Sequence, residues 1–168
     1  MDRFELRRAG DGRDRSNYAP REIWINEQPL LDILRPIEAV YVAAEVADRI
    51  GDGESEGDLQ GLTAASYMYP TAGMLGAPPP RVGEFFGLVD ATFGLDAADP
   101  AVGKTWVLDC ECGNAGCWPW LARIVVETSV VTWSEFAHYH RDWSYNIGPF
   151  RFDRAAYEAE FAQYRQRV

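Results

Sequence analysis

The chain has 168 residues, a formal net charge of −10 and a sequence pI near 4.6, and 47% of its residues are hydrophobic. Nucleic acids and anionic membranes bind clustered Lys and Arg, so we expect neither a nucleic acid nor a membrane among the partners. The apolar content is too high for a disordered chain and the length suits one hydrophobic core, which predicts a single domain over residues 1–168.

The cysteine count and the apolar runs bear on the compartment. Residues 1–10 lack the apolar core of a signal peptide, and nowhere is there an apolar stretch long enough to span a bilayer. Three cysteines are an odd number, whereas a secreted disulfide framework of this size normally has an even one. We therefore expect a cytoplasmic protein.

In the first half of the chain the patterns predict short strands and one long helical region. Residues 3–21 indicate an edge strand followed by a loop, and residues 22–26 alternate polar and apolar as a strand does. Apolar residues at helical spacing run from Leu30 to Ile50, with Pro36 as an interruption. A glycine-rich acidic loop, an irregular connection and a strand are then expected at residues 51–61, 62–80 and 85–89.

The second half predicts three antiparallel strands. Residues 106–112 and 117–127 favour β-structure on either side of a glycine-containing loop, which is a hairpin signal. Residues 130–133 supply the third strand. Ser134 is the expected N-cap of a short helix that ends by Arg141.

The last helix completes the predicted fold. Asp153 is its expected N-cap and Arg167 its expected end, with Tyr157, Phe161 and Tyr164 on one face. We therefore predict an α+β fold class: an antiparallel sheet built around a Cys/Trp-rich hairpin, with the C-terminal helix packed on it.

The cysteines are the candidate metal ligands. Cys110 and Cys112 lie two apart on a predicted strand, so their side chains share a face, and Cys117 begins the partner strand. Thiolates favour zinc, the expected cofactor, and His140, or else His138, would complete a tetrahedral site. The alternative is that the cysteines are small buried core residues, because the spacing lacks the paired CxxC of zinc knuckles.

Aromatic and acidic residues supply candidate binding residues. Trp118 and Trp120 share a face of the predicted strand and either line a binding surface or form a wall against the C-terminal helix. Glu45, Asp48 and Asp52 open an acidic stretch that a basic protein partner could contact. The alternative for this stretch is an ordinary solvated face.

Three motifs carry a resemblance to a known group of proteins. The sequence reads CxCGxxGCWP at residues 110–119, VxWxxF at 131–136 and GPFxFDRxxY at 148–157. Over residues 104–160 the chain resembles a family of small uncharacterised bacterial proteins, from which Trp120 departs because an aliphatic residue is commoner there. The resemblance implies relatives without an activity, so no catalytic residue is carried over.

Two functions from different classes follow from these features. Small size, acidity and the lack of a clear catalytic constellation favour a non-enzymatic protein-binding module, such as an immunity or antitoxin-type partner of a basic protein. The alternative is a small metal- or cysteine-dependent enzyme that uses Cys110, Cys112 and Cys117 with one of the two histidines.

Overall fold

The computed structural model describes residues 1–10, 16, 18–76, 85–90 and 94–165. The strands among them are β1 (Phe4–Arg8), β2 (Arg21–Ile25), β3 (Gln28–Pro29), β4 (Tyr67–Met68), β5 (Gly87–Leu88), β6 (Thr105–Cys110), β7 (Trp120–Val126), β8 (Val130–His138) and β9 (Phe150–Asp153). The helices are α1 (Leu30–Gly51), α2 (Ala72–Gly76) and α3 (Arg154–Arg165).

A three-stranded antiparallel sheet, ordered β1–β2–β3, forms from the N-terminal residues. Phe4 lies opposite Ile25 and Leu6 opposite Ile23, and all four side chains are buried, as the two-residue period of a strand requires. Asn26 and Glu27 both have positive φ, at 51° and 67°, and form the tight turn from β2 to β3. The edge strand expected within residues 3–21 is β1, and the strand expected at residues 22–26 is β2, so both are confirmed.

A larger antiparallel sheet forms the centre of the molecule. Its order is β4–β6–β7–β8–β9, and β5 pairs with the other end of β6. The β6–β7 hairpin carries the cysteines and tryptophans, and β8 follows it directly, as expected. With α3 packed on this sheet, the predicted α+β class is confirmed.

The helix predicted from Ser134 to Arg141 was wrong, because these residues continue β8 to His138. Pairing with β7 shifts by one residue between Leu121 and Arg123, where β8 contains a bulge and Glu135 has φ 48°. The bulge moves the buried positions from Val131 and Trp133 to Phe136 and His138. The alternation of buried and exposed residues therefore breaks at the bulge, so the sequence pattern does not indicate a strand beyond Trp133.

Helix α1 is continuous from Leu30 to Gly51, so the interruption expected at Pro36 was wrong. The helix buries only the stripe Leu30, Leu34 and Glu38. Pro36 is exposed, as is Asp32, whose carbonyl loses its helical N–H partner to the proline ring. Water can bind that carbonyl, which explains why the proline is tolerated.

Helix α3 begins as predicted, since Asp153 accepts a hydrogen bond from the Ala156 N–H at 2.9 Å. Its buried face includes Tyr157, whose hydroxyl accepts a hydrogen bond from the Trp133 indole N–H at 3.2 Å. The sheet residue that meets this helix is therefore Trp133, whereas Trp120 stacks on Phe136. The predicted end at Arg167 lies outside the described residues.

The connection over residues 62–80 was expected to contain little regular structure, and its described part agrees. Only β4 and α2 interrupt residues 62–76, while residues 77–80 lie outside the described part. The strand predicted at residues 85–89 appears as the two-residue β5. Among the described residues, no helix has the length and apolarity needed to cross a membrane.

Candidate metal centre

The three cysteines converge at the tip of the β6–β7 hairpin. Their sulfur atoms all lie within 4.8 Å of one another, and the Cys110 and Cys112 sulfurs are 2.9 Å apart. The sulfurs converge for a different reason from the one expected. Strand β6 ends at Cys110, and both Cys112 and Cys117 belong to the loop between β6 and β7. The loop, and not a shared strand face, brings the sulfurs together, and three cysteines so arranged could hold a metal ion.

Asp109 organises this loop from the end of β6. Its Oδ1 accepts hydrogen bonds from the Cys110 N–H at 2.8 Å and the Gly116 N–H at 3.3 Å, so one carboxylate ties both ends of the loop. Gly113 and Gly116 turn the chain with φ of 80° and 74°, a region that suits glycine. Asp109 is buried, and this burial raises the pKa of its carboxyl.

The cysteines differ in acidity. Burial, together with the hydrogen bond to Cys112, raises the pKa of Cys110 to about 12. The same hydrogen bond, with Cys110 as donor, lowers the pKa of Cys112. In the absence of metal, the Cys110 thiol thus lies beside the more acidic Cys112 thiol. A metal ion bound to both sulfurs would displace their protons.

The sulfurs border an open cleft of about 290 Å³. Cys112 and Cys117 are exposed and Cys110 is half-buried, so all three can be reached from solvent. Trp118 and Arg141 also line this cleft. The cysteines are therefore not the buried core residues of the alternative interpretation.

The structure does not bring His140 into the cluster. No described histidine or carboxylate joins the three sulfurs within the 4.8 Å limit. His140 is exposed, and its Nε2 lies 2.8 Å from the carbonyl oxygen of Gly116, to which it donates when protonated there. It thus contacts the residue just before Cys117, as a neighbour of the cysteine loop and not a ligand in this conformation.

His138 is enclosed by aromatic rings. Its Nδ1 accepts a hydrogen bond from the His140 N–H at 3.1 Å, and its ring lies 4.3 Å from that of Trp118 and 5.1 Å from that of Trp143. Burial, reinforced by the nearby charge of Arg141, lowers the pKa of His138 to about 3. The imidazole is therefore neutral near pH 7 and carries its proton on Nε2, which has no partner among the described residues.

The predicted binding residues do not form one surface. Trp120 is fully buried, so a partner cannot reach its side chain in this structure. Glu45 makes a bidentate salt bridge with Arg141 at 2.9 and 3.0 Å, and the Arg141 guanidinium lies over the Trp118 ring at 4.6 Å. Asp48 and Asp52 are exposed.

Two residues of the site escaped the sequence analysis. Asp109 directly precedes the candidate ligand Cys110, and this position could have indicated a role in orienting the cysteine loop. Arg141 meets Glu45 across 96 positions of the chain, so no local pattern indicated it.

Comparison of the chain with protein-family models, with curated proteins and with solved structures gives no match. The resemblance based on the three motifs therefore stays a prediction.

Proposed function

We propose that this protein binds zinc through Cys110, Cys112 and Cys117. The observation that carries the proposal is the convergence of three sulfurs within 4.8 Å in a loop that one carboxylate holds together. Thiolates are soft ligands, and tetrahedral sites rich in sulfur are typical of zinc. We place the protein in the cytoplasm, where the reducing environment would keep these thiols free to bind metal.

The site is of the open kind. Zinc in proteins takes four ligands, and the three sulfurs supply three, which leaves one position for water or another group. The sulfurs face a cleft of about 290 Å³, so a small molecule could reach that position. A zinc ion there would supply a Lewis acid to a bound group. This arrangement supports a metal-dependent activity more strongly than a closed structural site.

The protein should be purified without a metal-affinity step and its zinc measured together with its reactive thiols. We expect one zinc per chain and three thiols that become reactive only after chelation. Cys110→Ser, Cys112→Ser and Cys117→Ser should each lose bound zinc, and His140→Ala serves as the neighbouring control that should retain it. A protein that takes up no zinc on titration, with all three thiols freely reactive, contradicts the proposal.

A second proposal is binding to a basic protein, which the net charge of −10 and the exposed Asp48 and Asp52 support. Its support is narrower than the sequence suggested, because Trp120 is buried and Glu45 is already paired. The double variant Asp48→Lys/Asp52→Lys should abolish capture of a basic partner from the host extract. Glu27→Lys/Glu127→Lys, with the same change in charge elsewhere, should leave it. Equal capture by both variants contradicts this proposal.

A further inference from the structure

Lys104 is the only lysine in the sequence, and it is buried. It directly precedes β6 and retains 6% of its exposure. No carboxylate of the described residues lies within salt-bridge distance of its amine, and no described group accepts a hydrogen bond from it. Buried lysines are uncommon. The Lys104 side chain is buried along most of its length, while its Nζ retains contact with solvent.

This lysine borders a second cleft, which shares Arg141 with the cleft beside the cysteines. The cleft encloses about 430 Å³, within the range of small-molecule sites. Its lining side chains include Lys104, Asp99, His138, Tyr139, Asp142 and Trp143. Two features thus meet at one cleft: an unpaired amine, and a buried imidazole whose Nε2 has no partner among the described residues.

The charges around the Lys104 amine shift its pKa in opposite directions. Burial lowers the pKa of Lys104, and the positive Arg123 adds to this, while Glu135 and Asp99 oppose it. Glu135 is itself engaged by Arg123 at 2.7 Å. The amine therefore has a larger neutral, nucleophilic fraction than a solvent-exposed lysine.

We propose that the Lys104 Nζ forms an imine with a small aromatic aldehyde bound in this cleft. The nitrogen lone pair attacks the carbonyl carbon and gives a carbinolamine. Loss of water, which carries away the carbonyl oxygen and the two amine hydrogens, then leaves the C=N bond. Tyr139 and Trp143 offer aromatic surface for a planar ligand. The guanidinium of Arg141 also lines the cleft but is engaged by Glu45, so the carboxylates of Asp99 and Asp142 disfavour an anionic ligand.

The test uses reductive trapping of the wild-type protein with benzaldehyde and cyanoborohydride near neutral pH, followed by peptide mass mapping. The hydride reduces the imine carbon, so a benzyl group stays on the nitrogen. The α-amine of Met1, which is 83% exposed, is the internal reference. We expect Lys104 to be benzylated faster in the folded protein than in the urea-unfolded protein, with Met1 showing no such gain.

Two variants complete the test. Lys104→Arg keeps the charge and should lose the internal adduct completely while Met1 labelling continues. Tyr139→Ala should slow trapping at Lys104, whereas Tyr18→Ala, which changes an exposed tyrosine elsewhere, should not. Labelling confined to Met1, or trapping at Lys104 that is no faster folded than unfolded, overturns the proposal.

Discussion

The carboxylate of Glu38 on α1 accepts a hydrogen bond from the hydroxyl of Tyr145 at 2.6 Å, across 107 positions of sequence. The same carboxylate accepts hydrogen bonds from the Tyr67 hydroxyl at 2.6 Å and from the Ala65 N–H at 2.8 Å. Glu38 is fully buried, and these three donors replace the water that it gives up. They connect α1 with the strand β4 and with the segment that leads into β9.

Removing one of these donors should destabilise the fold. Tyr145→Phe leaves a carboxylate oxygen with one hydrogen bond fewer, and we expect a loss of about 1.5–3 kcal/mol in the free energy of unfolding. Tyr18→Phe changes an exposed tyrosine and should stay within about 0.5 kcal/mol of wild type. Urea unfolding followed by circular dichroism measures both. Equal stability of the two variants would show that the buried network contributes little.

The buried tyrosines predict a loss of stability in alkali. Burial raises the pKa of Tyr67, Tyr145 and Tyr157 above the ordinary value of 10.0. Above about pH 10 the unfolded chain releases these protons and the folded protein keeps them, so stability is complete below that pH and falls as pH rises. Tyrosinate absorbance and circular dichroism should show these three tyrosines titrating only as the protein unfolds. Their titration while the fold is intact would contradict the prediction.

Asp109 should control metal affinity without touching the metal. Asp109→Ala removes the acceptor that joins the Cys110 and Gly116 N–H groups, and we expect zinc affinity to fall by about 10- to 100-fold. Asp109→Asn retains an acceptor oxygen and should lose less. Asp96→Ala removes a similar contact, to the Ala98 N–H in a distant turn, and serves as the control. Competition with a chromophoric chelator gives the affinities, and no difference between the two alanine variants would count against this role.

Two glycines should respond oppositely to alanine. Gly148 has φ 66°, and an added Cβ would lie 2.8 Å from the Phe150 nitrogen and 3.1 Å from Phe136 Cε2. We expect Gly148→Ala to cost roughly 1–3 kcal/mol. Gly51 ends α1, where an added Cβ would meet nothing within 4 Å, and Gly51→Ala should stabilise by about 0.5–1 kcal/mol. Thermal unfolding compares them, and a stable Gly148→Ala protein would show that the local backbone relaxes.

Features that depend on neighbouring residues were predictable from the sequence. The hairpin, the N-cap at Asp153 and the closeness of the three cysteines are each encoded within about ten residues, although a loop and not the expected strand face gathers the sulfurs. The first half of β8 was predicted, but its continuation from Ser134 to His138 was missed although it is also local, because the bulge at Glu135 shifts the buried positions by one. A single inserted residue is enough to make a strand resemble a helix start after Ser134.

The sequence by itself thus determined the α+β class, the central hairpin and the candidate metal ligands, since short-range turns and alternation specify them. Only the tertiary structure decided that Trp120 is core, that Arg141 pairs with Glu45 and that Lys104 borders a cleft. These properties depend on segments that meet far apart in the chain, as Arg141 and Glu45 do across 96 positions. Burial and pairing of that kind arise from the packing of the whole sheet against its helices, and no local pattern encodes them.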